Sequence, residues 1–163
     1  MALSDQSQNP LLGKWETQHE IAPFNVIYDE HFRPALEIAC SKALIEVEEI
    51  IKNRNEPTFE NTIEALLSTG QLLDRIVSTF YTIAGAHTNK KRDELLLVFS
   101  SKLSDHNTNI YSNTELFDRI DRVVKTKHLN GLDQEQDRVL KLVHRNFVRS
   151  GAALKGRNKT RFQ

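Results

Sequence analysis

The chain has 163 residues with 22 basic and 22 acidic side chains, no formal net charge, and 47 Leu, Ile, Val or Phe, about 29% of the total. That length suits one domain with a real core, and the single cysteine, Cys40, excludes an internal disulfide or a cysteine-rich zinc module. The longest apolar run, Leu95–Phe99, is five residues, far short of the ~18 that cross a bilayer, so no membrane partner is expected.

Gly and Pro together make up only ten residues, so breakers are few. The expected fold class is all-α: an antiparallel helical bundle of about five helices with an extended N-terminal lead-in. Residues 1–29 form the lead-in, which holds Pro10 and Pro23 and whose Leu11, Leu12, Trp15, Phe24 and Ile27 are expected to lie along the bundle. The helical domain covers 30–154 and a basic tail 155–163. A first helix starts near Asp29, with Pro34 placed in its first turn, and carries Leu36, Cys40, Ala43, Val47 and Ile50 at 4-3-4-3 spacing. It ends between Asn53 and Pro57.

Thr58 then caps a second helix in which Phe59, Ile63, Leu66, Gly70, Leu73, Val77, Phe80 and Ala84 run in unbroken 4-3 alternation. This spacing predicts one long amphipathic helix, with a close helix crossing as the reason for Gly70 on its seam. A third helix starts between Asn89 and Asp93 and carries Leu96, Phe99, Leu103 and Ile110. A fourth, capped by Asn113 or Thr114, carries Leu116, Phe117, Ile120, Val123 and Val124. Asn130-Gly131 marks a turn, and a fifth helix turns Leu132, Val139, Leu140, Val143 and Phe147 inward.

Catalytic patterns are missing. A zincin needs His-Glu-x-x-His on a helix, so that two imidazoles share a face and the glutamate acts on metal-bound water. The only His-Glu pair is His19-Glu20, and Pro23 stands where the second ligand belongs. His31, His87, His106, His128 and His144 have no histidine partner at helical spacing; His106 falls on an apolar seam. No nucleophile elbow, phosphate loop or dinucleotide fingerprint occurs. Cys40 reads as a small buried hydrophobe, and Glu48-Glu49 as solvated charge. No catalytic, metal or cofactor residue is assigned.

Charge is unevenly spread. Residues 28–64 hold nine acids against four bases, while Arg138, Lys141, Arg145, Arg149, Lys155, Arg157, Lys159 and Arg161 follow one another with no acid among them. Phe162 is the only aromatic in the tail, so no stacking platform accompanies the charge and no specific nucleic-acid binding is expected.

Several stretches, taken in order, resemble the N-terminal region of the thimet oligopeptidase family, especially bacterial oligopeptidase A and peptidyl-dipeptidase. They are Asn9-Pro10-Leu11-Leu12 with Pro23-Phe24 and His31-Phe32-Arg33-Pro34-Ala35, and then Pro57-Thr58-Phe59-Glu60-Asn61-Thr62-Ile63-Glu64-Ala65-Leu66 with Gly70 and Leu73-Asp74-Arg75. Further on come Ala84-Gly85-Ala86-His87-Thr88-Asn89, Asn113-Thr114-Glu115-Leu116-Phe117-Asp118-Arg119-Ile120, and Phe147-Val148-Arg149-Ser150-Gly151-Ala152-Ala153-Leu154.

The resemblance implies a zinc metallopeptidase acting on short peptides, cytoplasmic or organellar, with two helical halves facing each other across a channel. In that family the zinc motif lies in the C-terminal half, so the resemblance assigns this chain no cofactor of its own and makes the catalytic half its partner. The expected function is a non-catalytic N-terminal part, one wall of the substrate channel, inactive alone and cytoplasmic. The alternative is a stand-alone helical interaction module without the catalytic half. The resemblance makes residues 155–163 a truncation point. A cut surface there, around Val143, Phe147 and the end after Leu154, is expected to fray or to drive self-association.

Overall fold

The computed structural model describes residues 9–129 and 131–154. Among these there is no strand, and the chain forms the all-α bundle that its spacing predicts: α1 (Asp29–Lys52), the short α2 (Ala65–Leu67), α3 (Gln71–Ala86), α4 (Lys90–Tyr111), α5 (Thr114–Thr126) and α6 (Gln134–Arg149). The starts follow from capping chemistry. The Asn113 side chain accepts from Leu116 N–H at 2.9 Å to open α5, and Asp133 and Gln136 form a reciprocal capping box at α6. Pro34 is the sixth residue of α1 rather than part of its first turn. The carbonyl that loses its helical donor belongs to Glu30, which is exposed.

The single long helix expected from Thr58 to Ala84 is not formed. Thr58 and Asn61 make a capping box, and the chain enters a π-helical turn over Phe59–Glu64 before the three residues of α2. Ser68 and Thr69 then turn their hydroxyls back onto the carbonyls of Glu64 and Leu66, at 2.9 and 2.8 Å, competing with helix continuation. Gly70 completes the break at φ +77°, in the left-handed region that glycine enters without a Cβ clash. A Cβ built on Gly70 would meet only the Ala43 Cβ, at an ordinary 3.8 Å. The glycine is therefore explained by its backbone angle and not by a close crossing.

The chain divides into two compact units, one comprising the residues up to Ala43 with Gly70–Ser104, the other Leu44–Thr69 with the residues from Asp105 onward. The first is built on three phenylalanines. Phe80 stacks on Phe99 with centroids 3.9 Å apart, and Phe32 meets both edge-on at 5.1 and 6.2 Å. Leu11, Leu36 and Ile76 close the space around them. The second gathers Ile63, Leu116, Ile120, Val123, Leu140 and Phe147, all buried.

Leu11, Trp15 and Ile27 of the lead-in are buried and Leu12 is half-buried, as expected. Phe24 departs from the expectation at 47% exposed. It sits inside the turn closed by Val26 N–H to the Pro23 carbonyl, which puts it at the outside of the bend. Phe147 and Val143 also depart from it. Phe147 is buried in its own unit against Tyr111 and Phe117, and Val143 is half-buried. The end of α6 carries a cap: Gly151, at φ +82°, donates to Val148 and Ala152 donates to Phe147, the paired bonds of a Schellman motif, with Ala152 buried. Asn130 of the expected turn, and the tail from Lys155, lie outside the described residues; Gly131 shows the left-handed angle a turn needs, φ +60°.

Candidate functional site

The most elaborate polar arrangements are three arginine clamps, and each draws on the stretches that carry the family resemblance. Arg119, on α5, donates to the Asn53 carbonyl at 2.6 Å, to Asn61 Oδ1 at 3.3 Å and to Thr62 Oγ1 at 3.4 Å. Asn61 also donates to the Glu56 carbonyl and accepts from Thr58 N–H. The Pro57–Thr62 stretch is thus a folded knot closed from outside by one guanidinium. Burial pulls the Arg119 pKa down, with Arg122 adding to the effect and Glu56 opposing it.

Arg75, on α3, plays the same part for the lead-in. It donates to the carbonyls of Leu11 and Gly13 at 2.9 and 3.0 Å and lies 4.4 Å over the Trp15 ring. Trp15 Nε1–H donates to the Pro10 carbonyl, and the Asn9 side chain donates to His31 O, so the Asn9–Leu12 stretch is pinned at several points. The third clamp joins helix starts: Arg92 Nε donates to Asp29 Oδ1 at 2.8 Å, and Asn89 Nδ2 to Asp29 Oδ2 at 3.2 Å. Burial pushes the Asp29 carboxyl up, but these donors and the Arg92 charge outweigh it and hold the group below the usual carboxylate range.

The histidines are not brought together. His19 stands exposed at φ 59° beside Glu20 at φ 54°, in a short 3-10 turn, so no helix presents the pair. His31 Nδ1 accepts from Tyr28 N–H at 3.0 Å near the start of α1. His87 is the exposed C-cap of α3 and offers its carbonyl to Arg92. His106 is buried on α4, and His128 is exposed. His144 stacks on Phe117 with Nε2 3.4 Å from Asp121 Oδ1. Among the described residues no group of three or more His, Cys, Asp or Glu could hold a metal ion. Cys40 is half-buried, and burial pushes its thiol up, away from the thiolate a nucleophile needs. Glu48 pairs with Lys52 across one exposed turn, as a solvated charge would.

One groove, of about 370 Å³, is lined in the second unit by Glu46, Glu49, Asn53, Asn61, Ser68 and Thr69, among others. Asn61 and both hydroxyls donate to backbone carbonyls of this unit. Of the basic residues on α6, Arg138, Lys141, Arg145 and Arg149 are all exposed, with Lys141 paired to Asp137. Among the described residues, the three clamps spend their hydrogen bonds mainly on the chain's own backbone and on caps. The clamps themselves were not readable in the sequence, since their partners lie 57 to 66 residues apart.

No family model matches the chain. It is 36% identical over 157 residues to a dipeptidyl carboxypeptidase of Salmonella typhimurium and 34% identical over 157 residues to a dipeptidyl carboxypeptidase of Escherichia coli. Each alignment takes in 96% of this chain but 23% of the relative, so the chain spans about a quarter of the length of the curated relatives it matches. No described helix is long and apolar enough to cross a membrane.

Proposed function

We propose that this chain is the N-terminal, non-catalytic part of a zinc peptidase of the dipeptidyl carboxypeptidase kind, contributing one wall of the substrate channel and inactive by itself. The observation that carries this reading is the spread of identity: 34–36% along nearly the whole chain against 23% of each relative. The clamps give that identity a physical sense, because the stretches carrying the resemblance are the ones that fix this part's own backbone. A rigid wall orients an extended peptide and excludes folded ones by width, which lowers the entropic cost of attack without any reacting group on the wall. Among the described residues the imidazoles stand apart and no metal-holding cluster of His, Cys, Asp or Glu gathers, so the reading assigns zinc to the part of the peptidase that this chain does not match.

Two measurements test the reading. The purified chain is expected to bind zinc well below one equivalent and to leave short peptides intact. A chimera in which this chain replaces the matched quarter of the Salmonella enzyme is expected to fold and keep dipeptidyl carboxypeptidase activity. Chelator-sensitive cleavage by the chain alone, or an inactive chimera, overturns it.

A further inference from the structure

Four of the large apolar side chains that stand exposed fall within residues 21–28: Ile21 at 55%, Phe24 at 47%, Val26 at 44% and Tyr28 at 58%. The stretch Ile21-Ala22-Pro23-Phe24-Asn25-Val26-Ile27-Tyr28 contains no charged residue, in a chain that is 27% charged. It is not a loose end. Trp15 is anchored before it, Ile27 is buried within it, and the bonds Val26 N–H to Pro23 O and His31 N–H to Tyr28 O, both 3.0 Å, set its path.

We propose that residues 21–28 are a docking surface for the part of the peptidase that this chain does not match, an inference that rests on the function proposed above. Loss of charge with retention of aromatics marks the centre of a protein–protein contact, and a nucleic acid would call for the opposite. The size of the patch selects among protein partners. From ordinary side-chain areas the four residues together expose roughly 400 Å² along this one uncharged stretch. That is about half of the ~800 Å² per partner found where separate proteins bind stably. A second copy of this chain would therefore hold on weakly. A surface in the same polypeptide needs less area, because tethering supplies an effective concentration of order millimolar.

The test uses the triple variant Phe24→Ser, Val26→Ser, Tyr28→Ser in two settings. In the isolated chain about half of each of these side chains already stands in solvent, and the fall in Tm is expected to be less than half of that in the chimera. In the Salmonella chimera the same substitutions are expected to lower Tm by about 5 °C or more. They should also remove the hydrogen-exchange protection that residues 21–28 gain in the chimera relative to the isolated chain. An active chimera indifferent to the triple variant overturns the docking surface and leaves the functional reading standing. An inactive or unfolded chimera carrying the unsubstituted chain overturns both. Two other results overturn the proposal: an equal loss of Tm in both settings, which makes the patch part of this chain's own packing, and self-association of the isolated chain that the triple variant abolishes, which makes the occupant a second copy.

Discussion

Arg119 satisfies two backbone or side-chain carbonyl oxygens and one hydroxyl with one planar group. A lysine keeps the charge but not the fork, so Arg119→Lys is expected to lower stability by about 1–2 kcal/mol and Arg119→Ala by about 2–4 kcal/mol in urea melts. Equal stability of all three proteins would show that the clamp contributes nothing. At Asp29 the expectation depends on pH. Its folded pKa is lowered below the ordinary 3.8, so its contribution is complete above about pH 4 and disappears as pH falls through the folded value. Asp29→Asn is therefore expected to destabilise by about 1–3 kcal/mol, evenly between pH 5 and 8, with the gap from wild type narrowing as pH falls below about 4. A gap that widened in acid would contradict the assignment of Arg92 and Asn89 as its stabilising partners.

Among the elements, Gly70 is where sequence and structure part most instructively. Apolar spacing of 4-3 ran through it unbroken, and the buried residues on either side, Phe59 and Ile63 before, Leu73 and Phe80 after, are the ones that spacing picks out. Periodicity records which positions face a core, yet it is blind to a backbone angle that flips sign at one residue. Ile76, fully buried in α3, escaped the heptad for the same reason, since the break resets the phase. Boundaries elsewhere were legible because capping is local: Asn113, for example, stands next to the turn it closes. The arginine clamps were hidden because nothing local records a partner some sixty residues away. Gly70→Ala is expected to cost about 1–2 kcal/mol through the left-handed angle alone, and Gly70→Asn less, as asparagine tolerates that region. Denaturant midpoints for the two variants decide this, and an alanine variant as stable as wild type would remove the positive φ as the reason for the glycine.

At the scale of the molecule, each unit rests on its own aromatic anchor. Phe99 and Phe147 are both essentially inaccessible to solvent, and Phe99→Ala or Phe147→Ala is expected to cost about 3–5 kcal/mol, read from calorimetric or urea unfolding. A cost below about 1 kcal/mol at either position would mean that its surroundings collapse onto the space left behind. Charge balance sets a second whole-molecule property. With no net charge and a pI near 7.0, the chain has little self-repulsion at neutral pH, so solubility is expected to be lowest there and to rise toward pH 5 and pH 9. Turbidity across that range checks it.

Trp15 is the sole tryptophan of the chain, held at 8% exposure with its indole N–H on the Pro10 carbonyl and the Arg75 guanidinium over its face. Its emission therefore reports on the lead-in alone. Among the described residues, 9–28 hold a single short 3-10 turn and contribute little to the far-ultraviolet ellipticity that follows α1 to α6. The two optical signals consequently watch different parts of one polypeptide. Where they change together under denaturant, the N-terminal segment is released only as the helices melt; where the emission shifts first, the separation between the curves measures how firmly one arginine straps that segment down.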